Sequence, residues 1–287
     1  MPTMYRHFTD QAEIDAQYNA GASVRDYEDF LKRWEMSSQA AREELPCHLN
    51  VAYGQTRAET LDIFPAEVSS APVHVFFHGG YWRSLSKSEF SFVARGPRRA
   101  GFTTVVVDYA LCPWVSIDEI VRQARSAVAW VYRNIERYGG DPSRITLSGH
   151  SAGGHLTAMS LLTPWVETYD LPEDVVRAAL CISGLHDLAP LRYSYLQPAL
   201  QIDEGVIARN SPVRLVKRVA APVLLAWGEQ ESAEFARQSL DLATALAGTG
   251  TRAQTCTLHG AHHFSVLDGF LDPQSRLCRA LHGAIDA

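Results

Sequence analysis

The chain has 287 residues, 46% hydrophobic and 20% charged, a balance that suits a globular protein with a sizeable core and excludes a disordered or fibrous chain. Its 26 Lys+Arg against 32 Asp+Glu leave a net charge of −6, so no positive field draws phosphate backbones or anionic lipid, and neither nucleic acid nor a membrane is expected as a partner. The first residues carry acids where a signal peptide needs an apolar stretch, and no run reaches the roughly 18 apolar residues of a spanning helix, so a cytoplasmic location is expected.

Residues 1–45 look helical and charged, with Tyr18, Tyr27, Phe30 and Trp34 as apolar anchors. Apolar, β-rich runs follow at 73–77, 104–107, 145–147, 178–182 and 223–227, with a last strand at 251–258. Helix-like segments alternate with them, which predicts an α/β fold with a mostly parallel central sheet flanked by helices. Ile117, Ile120, Val121, Ala124, Ala127, Val128, Val131 and Ile135 recur at the spacing of a buried helix face. Ser116 and Glu119 have the spacing of a capping box in front of it, and Gly139-Gly140-Asp141-Pro142 ends it. Residues 185–214 form a long excursion between two strands, rich in Leu, Tyr and Pro. In open α/β sheets ligands bind beyond the carboxyl ends of the strands, so this insertion and the 1–45 segment are natural covers for a site. No repeat or linker divides the chain, and 1–287 is expected to be a single domain. The five cysteines, Cys47, Cys112, Cys181, Cys256 and Cys278, are scattered and odd in number, and read as small apolar core residues rather than a disulfide framework.

Chemistry gathers at Gly149-His150-Ser151-Ala152-Gly153, a G-x-S-x-G pattern with a strand directly before it and a helix from 152 to 162 directly after. A sharp strand-to-helix turn exposes the serine hydroxyl and needs small neighbours, here Gly149, Ala152 and Gly153, so that two chain segments can pass closely. Ser151 is therefore the candidate nucleophile. A hydroxyl needs a base, and in this arrangement the order runs Ser, acid, His. Of the late histidines, His263 in the loop after the last strand is the candidate base, with His262 as the alternative. The acid belongs past the strand at 223–227, where Glu231 is better placed than Glu229, and Asp187 and Asp203 are outside candidates. His262 and His263 also lie near Asp268, but adjacent histidines point in different directions and no H-x-x-x-H pair accompanies them, so no metal is expected.

The strand at 73–77 runs into His78-Gly79-Gly80-Tyr81-Trp82. Glycines let the backbone approach an oxyanion, so the N–H groups of Gly79, Gly80 and Tyr81, with that of Ala152, are the candidate oxyanion hole. Tyr81 and Trp82 bring two large rings beside it. Together with Trp34 and Tyr195 from the two covers they are the expected pocket walls, core packing behind the loop being the other place for such rings.

These segments, HGGYW ahead of GHSAGGHL, with VDYALCP, EIVRQARSAVAWVYRN, SGLHDLAPLR and GEQESAEFARQS, resemble the kynurenine formamidase (arylformamidase) branch of the α/β-hydrolase superfamily, near the hormone-sensitive-lipase-like esterases. The likeness spans roughly residues 15 to 270. It implies an α/β-hydrolase fold without a cofactor, with Ser151 as nucleophile, His263 as base and Glu231 as acid. Several family members carry Asp at that last place, so Glu231 is a departure. The implied reaction is hydrolysis of N-formyl-L-kynurenine to kynurenine and formate, so the expected partner is a small aryl amide or ester. Many relatives act best on small esters, which makes a broad short-chain carboxylesterase the alternative. A ligand-binding module on a retired hydrolase fold is a third reading, disfavoured because every catalytic role has a candidate.

Overall fold

A computed structural model describes residues 3–283. The strand signals assemble into one sheet of eight strands: β1 (His48–Ala52), β2 (Thr60–Phe64), β3 (Ala71–Phe77), β4 (Thr103–Val107), β5 (Gly140–His150), β6 (Val176–Ile182), β7 (Val223–Gly228) and β8 (Ala253–Leu258). Their order is β1-β2-β4-β3-β5-β6-β7-β8. Neighbours from β4 to β8 are parallel, and β1 and β2 join antiparallel at one edge. The central strands are buried along nearly their whole length, which is why they read as unbroken apolar runs rather than alternating ones.

From β3 the chain moves outward to β4 and then returns across β3 to β5, so the strand order reverses at this pair. That reversal is where loops part and a crevice opens at the carboxyl edge. The register pairs Phe77 with Gly149, which sets the end of β3 level with the end of β5. Two segments far apart in sequence, the turn at His78–Trp82 and the turn at Ser151, are thereby brought side by side.

The strands β1 and β2 carry no signal in the sequence reading above. A charged residue sits in the middle of β2: Asp62 is buried, accepts a hydrogen bond from the Asn50 N–H and pairs with the buried Lys87 at 3.0 Å. A buried ion pair removes the apolar run that would announce a strand, and β1 is a largely exposed edge.

Ile117–Asn134 forms the expected helix with its apolar face buried. The capping box is only half made. Ser116 accepts from the Glu119 N–H, but the Glu119 carboxylate turns away to Arg122 and Gln123, because a guanidinium within one turn outcompetes a backbone N–H. The N-terminal segment holds two helices, Gln11–Tyr18 and Tyr27–Glu44, with Tyr18 and Trp34 buried and Tyr27 and Phe30 half-buried. The 185–214 excursion contains the short helices Gln197–Leu200 and Glu204–Asn210 between tight turns. All five cysteines are free, four buried and Cys47 partly so. Among the described residues no helix is long and apolar enough to cross a membrane.

Candidate active site

Between the last residue of β5 and the helix Ala152–Leu161 stands Ser151, at φ 57°, ψ −117°. Such backbone costs a non-glycine residue about 1–3 kcal/mol and persists only where its surroundings hold it. The Ser151 N–H is held by the Ile182 carbonyl at 2.8 Å. Close approach does the rest: a Cβ on Gly149 would lie 2.1 Å from the Gly153 oxygen, and one on Gly153 would lie 1.9 Å from the Phe77 oxygen. Gly153→Ala is accordingly expected to destabilise the protein by about 3 kcal/mol or more, seen as a lower thermal or urea midpoint. An unchanged midpoint would mean that helix and strand do not touch as described.

The turn after β3 is built from consecutive left-handed residues, Gly80 (φ 108°), Tyr81 (φ 51°) and Trp82 (φ 55°). The Gly80 carbonyl accepts from the N–H groups of Arg83 and Ser84 at 3.0 and 3.1 Å, and a Cβ at Gly80 would meet the Ser84 oxygen at 2.0 Å. Glycine is thus obligatory there. Among the described residues the N–H groups of Gly79, Gly80 and Tyr81 donate no hydrogen bond. Ala152 opens its helix, where an N–H lacks an intrahelical acceptor.

His263 is buried, and its Nδ1 lies 2.7 Å from Glu231 Oε2. The other carboxylate oxygen of Glu231 accepts from the Gly228 N–H at 2.6 Å and the Ser183 hydroxyl at 2.5 Å. A fully buried carboxylate with three hydrogen-bond donors is well compensated and cannot swing. The His263 ring is clamped between Phe235 and His150, with centroids at 4.4 and 4.5 Å. With Nδ1 engaged, Nε2 is the nitrogen left over. Ser151 and His263 line one cavity of about 360 Å³ without a hydrogen bond between them, a looseness common before substrate tightens a site.

The alternatives are placed elsewhere. The His262 Nδ1 accepts from the N–H groups of Phe264 and Ser265, and its ring stands edge-on to Phe30; partial burial holds its pKa below the usual value. Glu229 is exposed and binds the Gly260 N–H and His259. Asp187 accepts from the Tyr5 hydroxyl, and Asp203 caps the helix Glu204–Asn210.

Among the expected wall residues, Tyr81, Trp34 and Tyr195 line the cavity. Burial raises the Tyr81 phenol well above its usual pKa, and it donates to the Tyr18 carbonyl. Trp82 is a correction. Its ring is completely buried, perpendicular to His155 with centroids 4.9 Å apart, because the helix Ala152–Leu161 that carries His155 gives this large apolar ring a place to pack away from water. The covers also contribute unequally: the N-terminal segment supplies the Asn19–Ala22 turn, Tyr27 and Trp34, whereas 185–214 supplies Tyr195 alone among the described lining residues.

Sequence reasoning missed two residues of the site. Ser183 carries no motif. His150 sits inside G-x-S-x-G at the variable position; burial, and then the nearby His263, hold its pKa well below the usual value, so it packs against His263 as a neutral ring. Among the described residues no cluster of three or more His, Cys, Asp or Glu side chains could hold a metal ion.

The BD-FAE family model matches residues 61–246. The kynurenine formamidase of Danio rerio is 31% identical, covering 94% of each chain, and the esterase LipC of Mycobacterium tuberculosis is 29% identical over 76% of this chain and 60% of its own length. A solved structure from Silicibacter sp. TM1040, provisionally named a thioesterase, is similar with a TM-score of 0.82 at 33% identity, covering 94% of this chain and 98% of its own. The family match, the near full-length likeness and the parallel sheet with its strained serine turn agree, and this chain is an α/β-hydrolase enzyme that belongs to the kynurenine formamidase family.

Proposed function

We propose that the enzyme hydrolyses N-formyl-L-kynurenine to kynurenine and formate through Ser151, His263 and Glu231. The observation that carries the reading is that His263, paired with the buried Glu231, lines the same cavity as a strained Ser151. Ser151 Oγ attacks the formyl carbon as His263 Nε2 takes its proton, and the C=O pair moves onto oxygen. That oxyanion is met by N–H groups of the Gly79–Tyr81 turn, which donate no other hydrogen bond among the described residues, and by that of Ala152 at its helix start. Glu231 holds the imidazole tautomer and stabilises the imidazolium. His263 then protonates the aryl nitrogen, the C–N bond breaks and the aryl amine leaves. Water, deprotonated by His263 Nε2, attacks the formyl ester, and His263 returns that proton to Ser151 Oγ as the ester C–O bond breaks and formate leaves.

Tyr81 and Trp34 offer flat apolar walls for an aryl group. The acyl group shares the same small space, so formyl and acetyl esters of one phenol are expected to exceed the octanoyl ester in kcat/KM by at least about tenfold, since misfitting several methylenes at roughly 0.8 kcal/mol each outweighs 1.4 kcal/mol. A flat or rising series would contradict a short acyl site. The substrate itself is tested side by side: kcat/KM for N-formyl-L-kynurenine is expected to exceed that for phenyl acetate, and the reverse would make this a short-chain carboxylesterase. Five free thiols fit a reducing compartment, which supports a cytoplasmic location.

A further inference from the structure

The cavity is lined by apolar and neutral polar groups with one exception in fixed charge. Arg83 is the sole Arg, Lys, Asp or Glu among its described lining residues. Its guanidinium makes no ion pair and no hydrogen bond among the described residues, and lies over the Tyr195 ring, 5.5 Å from the centroid. In a chain whose acids outnumber its bases, a cation left without a carboxylate at the site is an unfilled anion position.

Both ends of this arrangement are anchored. The Arg83 N–H donates to the Gly80 carbonyl at 3.0 Å, so the cation belongs to the same tight turn that carries the proposed oxyanion donors. The Tyr195 N–H donates to Asp15 at 2.7 Å, which ties the ring to the N-terminal helix Gln11–Tyr18. A guanidinium stacked on an aromatic face keeps its forked edge open for a second partner, and a carboxylate matches that fork.

We propose that Arg83 is a specificity-determining residue that binds a carboxylate carried by the leaving group of the substrate. The inference rests on the reading above and deepens it: kynurenine leaves as an amino acid, and its carboxylate has a partner in this cation.

The test compares N-formyl-L-kynurenine with its carboxamide, and an acetyl ester of a phenol bearing a carboxylate with its carboxamide, in the wild-type enzyme, Arg83→Gln and Arg83→Lys. The wild type is expected to favour the acid of each pair by about tenfold in kcat/KM, chiefly through KM, a modest factor because the cation is exposed. Arg83→Gln is expected to bring the acid-to-amide ratio to about one. Arg83→Lys should retain part of it, as a charge without the fork, and added salt should shrink the wild-type ratio by screening. A ratio of one in the wild type, or a ratio that survives in Arg83→Gln, would overturn the proposal. If the formyl compounds are not cleaved while the esters are, the formamidase reading falls, and the ester pair still decides the role of Arg83.

Discussion

Ser151→Ala is expected to lower kcat for formyl-aryl amides by about 10⁴–10⁶ while leaving substrate binding nearly intact. The variant removes the atom that bonds to the formyl carbon and leaves the cavity walls in place. His263→Ala should cost about as much, and the double variant little more, because the two residues perform one proton-coupled step and a step cannot be lost twice. The backbone adds a second signature: relieving nothing at φ 57°, alanine should leave the fold about as stable as serine does. His262→Ala is the discriminating control. Its ring caps the turn at Phe264–Ser265 and packs on Phe30, so its loss should be small in kcat; a severe loss there, with a mild one at His263, would move the base.

Glu231→Gln is expected to cost on the order of 10²–10⁴ in kcat. The carboxylate accepts three hydrogen bonds, from His263 Nδ1, the Gly228 N–H and the Ser183 hydroxyl. An amide has one oxygen and one NH₂, so it must either face the Gly228 N–H with another donor or lose the acceptor for His263. Charge stabilisation of the imidazolium is lost in both cases. The unmatched donor should also cost about 1–3 kcal/mol of stability, so a thermal midpoint measured beside kcat separates the two effects. Glu229→Gln, at an exposed carboxylate bound to Gly260 and His259, should stay near wild type. The opposite ranking would place the acid at residue 229.

Much of the site was legible because its parts are local. The strand, the strained serine and the following helix are adjacent in sequence, and the glycines at 79, 149 and 153 mark close backbone approaches. The loop order after β7 and β8 puts Glu231 and His263 forward as candidates for the same reason, and they stand 2.7 Å apart. What remained hidden depends on contacts between distant segments. Ser183 reaches Glu231 only through the alignment of β6 with β7. The N-terminal segment walls the cavity because Tyr18 donates to the buried Glu234 and Ser232 donates to the Gln17 carbonyl, pairs more than 200 positions apart that no periodicity records. Trp82 is subject to the same limit: a ring after a core strand can turn either way, and its partner His155 lies on a helix far along the chain.

The most direct test of the central claim is covalent labelling with a fluorophosphonate, followed by peptide mass spectrometry and the residual rate on N-formyl-L-kynurenine. The account predicts a single phosphonyl group per chain, on Ser151, with formylkynurenine hydrolysis falling in proportion to labelling until it is abolished. Full activity after exhaustive treatment, or a label on any other residue accompanying the loss, would contradict it.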